Sequence, residues 1–498
     1  MKSPLLSGVG KYKNYLTFRL YSNDNGDTAE ATISFVNTGD AFNKLDLYYR
    51  TSRTSWEKVT DVSTVFTLRE KHDYIQLWNK TNNWSKAVNN FLRIETGGGD
   101  IMASGSVMSL LNFSDTLPNC CFYMLFSGCT NLRIPPELPS VQELSSHCYY
   151  YMFSNSGILF CPELSACTLA SSCYEGMFSS CPRLTAPAEL PAETLAFRCY
   201  YAMFSSCVNI SDPPVLPATK LDEHCYSYMF NGCTGLRTAP ELPADVTEYS
   251  CYRGMFQNCT SLVNPPALSS KDLAPYCYAY MFSGCSSLLT TPELPATVMA
   301  DSCYSSMFSG CSAIRESVKL PGTHLDYNCY YAMFSNCTAL TKVQDAFKAT
   351  PWNGSYAYMF NGCTSLRVAP KLPDSVSFSV GGFRGMFQGC ANLEQAPELP
   401  ATKLSKECYA YMFSGCSNLT TAPELPATEL EEDCYLAMFT GCTKLNAINV
   451  SFSAWEPSTA TTAWVTGVSS TGVFTKPASL ATLHDDSKIP VGWTVVNK

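Results

Sequence analysis

One segment, Cys225-Tyr226-Ser227-Tyr228-Met229-Phe230-Asn231-Gly232-Cys233-Thr234-Gly235-Leu236, recurs along the middle of the chain and restricts what it can fold into. With the Met-Phe pair as marker, copies sit at Met152, Met177, Met203, Met229, Met255, Met281, Met307, Met333, Met359, Met386, Met412 and Met438. A degenerate first copy, Leu125-Phe126, makes thirteen. Successive markers are 26 residues apart, apart from two gaps of 27 and one of 25. A fixed period of this length is the signature of a solenoid or a propeller, in which each unit packs only on its neighbours. A chain of 498 residues therefore need not be three ordinary domains. The same apolar skeleton in every copy marks a scaffold, against which any chemistry must be argued.

The cysteines follow the repeat. Of the 26, eleven precede the marker by four residues and twelve follow it by four; Cys120, Cys161 and Cys167 are the remainder. On a helix, residues eight apart are separated by about 12 Å, beyond the reach of about 7 Å between Cα atoms that a disulfide allows. Pairing between neighbouring copies is within reach but would leave odd members. The expectation is buried free thiols acting as small hydrophobes. No CxxC pair occurs and the five histidines share no ligand spacing, so neither a metal nor any other cofactor is expected.

Within a copy, Cys, Met and Cys fall at i, i+4 and i+8, with Tyr and Phe at i+1 and i+5, an apolar stripe at helical spacing. The Ser-Gly or Asn-Gly before the second Cys suits the C-cap of a short helix. Then comes a segment such as Arg237-Thr238-Ala239-Pro240-Glu241-Leu242-Pro243, whose prolines permit only a three- or four-residue strand. Each coil thus reads as a short strand and a short helix.

Residues 1–105 lack the repeat. Leu16, Phe18 and Leu20 alternate with polar residues, Asn23-Asp24-Asn25-Gly26 supplies a turn, and Ile33–Val36, Leu45–Tyr49, Val65–Leu68 and Tyr74–Trp78 continue an extended pattern. Short strands at this spacing read as a β-sandwich-like domain, punctuated by the loop Thr96-Gly97-Gly98-Gly99-Asp100. Residues 106–450 form the repeat region, which Ser106–Phe113 opens as a cap, and 451–498 a C-terminal capping segment.

Charge narrows the partners. Only 15% of residues are charged, against roughly 25% in a typical domain, and the formal net charge is −9. Without a Lys/Arg cluster, neither nucleic acid nor an anionic membrane surface is an expected partner. No apolar run of 18 residues exists, so no membrane insertion is expected. Met1–Gly8 has no apolar h-region, which reads as no secretory signal.

The recurrent Leu-x-x-Ala-Pro-Glu-Leu-Pro, as at Leu236–Pro243, together with Met-Phe-x-Gly-Cys-x-x-Leu, as at Met229–Leu236, resembles the BspA-type leucine-rich repeat. That type is known from surface proteins of Bacteroidetes and other host-associated microbes and from their phages. The resemblance covers about residues 120–450, and the tail segments Trp464–Val468, Gly472–Phe474 and Ile489–Val495 resemble the closing part of such proteins. It implies an α/β-type repeat solenoid of thirteen coils that binds partners, and it carries over no catalytic residue. Two copies depart from the pattern, with Ser355 and Gly382 in place of the first Cys, and Thr341–Gly354 lacks Pro-Glu-Leu-Pro.

Two polar ladders are candidate sites. Glu137, Glu163, Glu189, Glu241, Glu293, Glu398 and Glu424 occupy the position between the two prolines of the segment (Ser165 replaces the second beside Glu163), with Lys319 and Lys371 interrupting. Facing outward they would bind cations or steer a cationic partner; otherwise they are a solvated face. Tyr149, Tyr174, Tyr200, Tyr226, Tyr252, Tyr278, Tyr304, Tyr330, Tyr409 and Tyr435, beside the first Cys, are either core or an exposed aromatic platform for sugars. No Ser-His-Asp set, HExxH or phosphate-binding GxxxxGK[ST] occurs, so no enzyme is expected. A glycosidase would need two carboxylates of unlike environment about 5 to 10 Å apart, and the Glu ladder offers no such asymmetry.

The expected protein is a non-enzymatic binding or structural component, a phage virion fibre or decoration protein touching a host cell-surface protein or glycan. Its N-terminal domain would join it to other virion proteins, and a homo-oligomer is left open. The alternative is a secreted adhesin at the bacterial cell surface.

Overall fold

The structure, a computed structural model, describes residues 14–21, 29–82, 84, 87–344, 347, 349–373 and 379–498. The turn expected at Asn23–Gly26 and the Met1–Gly8 stretch lie outside the described residues. The chain divides into two compact units, Met1–Pro217 and Ala218–Lys498.

In the first unit, alternating sequence becomes two sheets. Strands β1 (Leu16–Leu20), β2 (Ala31–Asn37), β3 (Leu47–Thr51), β4 (Glu57–Lys58), β5 (Phe66–Leu68), β6 (Ile75–Asn79), β7 (Leu92–Gly98), β8 (Ile101–Ser104) and β9 (Leu132–Ile134) are ordered β4-β3-β6-β1-β8-β9 in one sheet and β5-β2-β7 in the other. All neighbours are antiparallel except β8 and β9. Leu16, Phe18, Leu47, Ile75 and Leu77 are buried on one side of the larger sheet, as the period of two requires. The loop read at Thr96–Asp100 is for the most part strand. Gly97 and Gly98 end β7 opposite Thr32 and Ala31, and a Cβ on Gly98 would stand 2.4 Å from the Glu30 carbonyl oxygen. Glycine there marks close backbone approach rather than a break. A 3-10 turn, Val107–Leu111, leads towards the repeats, with the Ser106 hydroxyl accepting from the Met108 N–H at 3.2 Å.

The short helix expected in every copy is absent: the described residues contain no α-helix. In its place runs a ribbon of linked turns with two interleaved hydrogen-bond sets. In the second unit, Cys225, Ser227, Met229, Asn231 and Cys233 donate their N–H groups three residues back, to Asp222, His224, Tyr226, Tyr228 and Phe230. The alternate residues Tyr226, Tyr228, Phe230 and Gly232 donate forward to Cys251, Arg253, Met255 and Gln257 of the next copy, at 2.7–3.0 Å. Every N–H of the ribbon is thereby satisfied, half within the copy and half across it. Every fourth residue is left-handed, as in His224, Tyr228 and Gly232 (φ 56°, 57° and 73°). The ribbon therefore repeats every four residues. An α-helix would turn Cys225 and Cys233 about 80° apart, whereas here Cys225, Met229 and Cys233 are all fully buried.

The first unit uses the same pairing, Phe126 N–H to Met152, Phe153 to Met177 and Phe178 to Met203. In the second unit it runs from Phe230 to Phe413 and then once more, Phe439 N–H donating to Trp464 at 2.8 Å. Ala460–Gly467 is thus a further, degenerate rung, with Ala463 and Gly467 left-handed. Its Trp464 stands where other copies have Met.

The strand expected in each coil is also replaced. Apart from β9 and β10 (Ala447–Asn449), the described Pro-rich segments are extended but form isolated bridges rather than ladders with their neighbours, such as Thr238 to Asn264 and Val368 to Gln395. Proline lacks the donor a ladder needs. The second unit closes with a parallel sheet of β10, β11 (Val473–Lys476) and β12 (Thr494–Asn497).

Candidate functional site

The tyrosines beside the first Cys are core, not a sugar platform. Tyr226, Tyr252, Tyr278, Tyr304 and Tyr330 are at most 2% exposed. The pairs from Tyr226–Tyr252 to Tyr304–Tyr330 stack with centroids 5.6–5.9 Å apart and planes within 9°. The cysteines are free thiols, buried at all positions but Cys161 and Cys167. Burial pushes thiols such as Cys225, Cys285 and Cys337 up to about 12, so they stay protonated. They do more than fill space: the second Cys of a copy donates to the Phe carbonyl of the copy before, as in Cys285 to Phe256 and Cys311 to Phe282, at 3.0 and 3.1 Å. Among the described residues no group of three or more His, Cys, Asp or Glu could hold a metal ion.

All seven ladder glutamates, Glu137, Glu163, Glu189, Glu241, Glu293, Glu398 and Glu424, are exposed. Buried Pro240, Leu242 and Ala244 alternate with exposed Glu241 and Pro243, so the extended segment turns its carboxylate outward. Glu137 accepts a hydrogen bond from Asn14 at 3.3 Å and Glu424 one from Asn449 at 3.2 Å. Glu398 and Glu424 border one open depression of about 360 Å³, with prolines for walls. Glu293 borders another of about 480 Å³ together with Lys319 and Gln344. Two of the carboxylates thus share one depression, and a lysine lines the other beside Glu293.

A different set of side chains forms the more developed surface. Where the residues two and three places after the first Cys are Tyr or Arg, as at Tyr150, Tyr151, Tyr228, Arg253, Tyr358 and Arg384, their side chains are half-buried at the surface of the ribbon. In the first unit, Tyr150, Tyr151, Tyr201 and Arg198 are half-buried around Glu175, which is 3% exposed. Arg198 donates to both oxygens of Glu175, at 3.0 and 2.7 Å, and lies 3.9 Å from the centre of the Tyr201 ring. That bidentate pair fixes the guanidinium and raises its pKa. Burial, reinforced by the Glu175 charge, pushes the Tyr150 and Tyr151 hydroxyls up to about 12, keeping them neutral donors. The Tyr151 ring rests on Gly176, where a Cβ would fall 2.4 Å from it.

The second unit repeats the device. Tyr228 rests on Gly254 and Tyr358 on Gly385, with imagined Cβ contacts of 2.5 and 2.4 Å. Arg253 lies over Tyr276 and Tyr280, at 5.4 and 5.6 Å. Arg384 donates to the Tyr358 hydroxyl at 2.9 Å, pairs with Glu407 and lies over Tyr411 at 5.4 Å. The signal was present in the sequence as Tyr-x-Tyr-Met-Phe followed by Arg-Gly-Met-Phe in the next copy, with Tyr228 and Gly254 26 residues apart and Tyr358 and Gly385 27 apart. The helix reading hid it, because it fixed no outward position.

Copies that pair backbone to backbone, with a leucine closing each ribbon and a proline-rich return, define a leucine-rich-repeat protein. Residues 223–367 and 356–456 match the BspA type leucine rich repeat region, in six copies. The matched stretch, residues 223–456, carries repeats of that type, which is generally a type of binding and structural proteins, typically extracellular or surface-exposed. The chain is similar to the crystal structure of a leucine-rich repeat protein from Eubacterium ventriosum, at 13% identity over 62% of this chain and 80% of that one. The TM-score is 0.29, too low to support an argument about the fold. No curated protein matches the chain. No helix among the described residues is long and apolar enough to cross a membrane.

Proposed function

We propose that the protein is a non-enzymatic adhesion component whose outward Tyr and Arg side chains grip a protein or glycan on a host cell surface. The observation that carries this reading is the seating of Tyr151, Tyr228 and Tyr358 on glycines of the next copy, beside Glu175, Arg253 and Arg384. Tyr and Arg dominate the energetics of binding surfaces. Rings and guanidinium groups held in place before contact lose less freedom on binding. Residues 1–105 serve as the anchoring region and the repeats as the presenting one.

The vehicle we favour is a phage virion, as a fibre or decoration protein. Support comes from the 24 buried free thiols, which assemble unpaired most readily in a reducing cytoplasm before release. The alternative, a secreted bacterial surface adhesin, draws on the usual location of this repeat type. Labelled protein incubated with candidate host cells and read by flow cytometry tests the face. Binding that falls at least tenfold in Tyr228→Ala and Arg253→Ala, with an unchanged melting curve, supports it; binding unaffected by both refutes it. Mass spectrometry of purified virions separates the two vehicles.

A further inference from the structure

The outer side of the larger N-terminal sheet carries a second surface that the repeat-face reading does not use. Residues alternate along β3, β6 and β1, so the neighbours of the buried Leu47, Leu77 and Leu16 point away from the core. The pairs Tyr48–Trp78 and Arg50–Gln76 lie side by side across β3 and β6, and Gln76 pairs in turn with Thr17 of β1. Tyr15 and Trp56 complete the patch. Their rings touch in a chain: Tyr15 to Trp56 at 4.8 Å, Trp56 to Trp78 at 5.8 Å and Trp78 to Tyr48 at 6.0 Å. All four aromatic residues are half-buried, held by one another with part of each exposed.

Two cations sit on these rings. The Lys80 ammonium is 3.8 Å from the centre of Tyr48 and 5.2 Å from that of Trp78, and the Arg50 guanidinium is 5.2 Å from that of Trp56. Neither has a carboxylate partner among the described residues; Arg50 is steered instead by the Gln76 carbonyl, at 3.1 Å from Nε, while the Gln76 amide donates to Thr17 at 3.1 Å. The nearby Asp46 is engaged with Lys58 at 2.9 Å. In a chain of net charge −9, two unneutralised cations on an aromatic floor stand out as a local reversal of sign.

We infer that this sheet face binds an acidic polysaccharide, with sugar rings stacking on Trp56 and Trp78 and their carboxylate or sulfate groups meeting Arg50 and Lys80. Aromatic faces suit the apolar faces of pyranose rings. The cations supply the charge complementarity that a neutral glycan would leave unused, and Gln76 and Asn112 add hydrogen-bonding groups at the edge. Asn112 already accepts from the Trp78 indole at 3.3 Å, which fixes the ring.

Native affinity electrophoresis of the full chain, in gels containing polygalacturonate, heparin or dextran, tests this. Retardation is expected in one or both acidic gels and not in dextran, the acidic arms separating carboxylate from sulfate. Trp78→Ala and Lys80→Ala should each weaken it at least fivefold, while Lys71→Ala and the repeat-face variant Tyr228→Ala leave it intact. Should Trp78→Ala fail to fold, Lys80→Ala and Arg50→Gln carry the test. No retardation in either acidic gel, equal retardation in dextran, or equal weakening by Lys71→Ala and Lys80→Ala would overturn the inference. Because Tyr228→Ala reports only on the repeat face, the two readings fail separately.

Discussion

The Cys259 thiol donates to the carbonyl oxygen of Phe230, 3.1 Å away in the preceding copy, and that same oxygen accepts the N–H of Cys233 at 3.0 Å. Both lone pairs of a buried carbonyl are thus used, one from within the copy and one from the next. Serial repetition of this contact explains why a small sulfur-bearing residue recurs where Ala or Val would fill similar space: neither can donate.

Cys259→Ala therefore removes a donor and opens a small void. The expected cost is about 1–2 kcal/mol, read as a lowered urea midpoint. A midpoint unchanged from wild type would mean the thiol contributes only bulk.

Thiol reactivity follows burial. In the native state at pH 8 an alkylating reagent should modify Cys167 rapidly and Cys161 slowly, because these alone are not buried. All 26 should react after denaturation, counted by intact mass. Fast native labelling of many sites would contradict the packing.

Alkali should unfold the repeats. Thiols such as Cys173, Cys277 and Cys390 are held at about 12 by burial, against about 8.5 in an unfolded chain. The folded state thus keeps protons that the unfolded state loses. Stability is full below about pH 8.5 and is lost as pH rises towards 12. Far-ultraviolet spectra at graded pH should show the transition in that window, and a protein equally stable at pH 7 and 11 would refute it.

Gly385→Ala and Gly389→Ala separate steric seating from backbone strain. Both glycines are left-handed, at φ 57° and 71°, so each substitution carries about 1 kcal/mol of strain. Only at Gly385 would the new Cβ strike a ring, that of Tyr358; at Gly389 the nearest atom is 3.7 Å away. Gly385→Ala should therefore be the more damaging to stability and should weaken cell binding. Equal effects would argue against the ring seat.

Much of this was legible in the chain. The period gave the copies, and the i, i+4, i+8 pattern gave the buried Cys, Met and Cys. It did not give the backbone that buries them, since over eight residues a four-residue ribbon and a 3.6-residue helix differ by less than a quarter turn. What decides between them is hydrogen bonding to the next copy, which residue types do not record. The outward tyrosines were missed for that reason, and the degenerate rung at Ala460–Gly467 because Trp464 replaces the marker Met. In the N-terminal sheets, β1, β2, β3, β5 and β6 followed from alternation, whereas Gly97-Gly98 disguised the end of β7.

The interleaved backbone pairing also bears on how such a chain can change length. In Ala218–Lys498, loss or gain of one whole copy leaves each donor facing an equivalent acceptor, so duplication and excision are structurally silent events. Removing a single ribbon residue instead exchanges the inward-donating and forward-donating sets and turns the left-handed positions onto the wrong side chains. Recombination can edit this protein in units of about 26 residues, while point deletions in the ribbon are excluded.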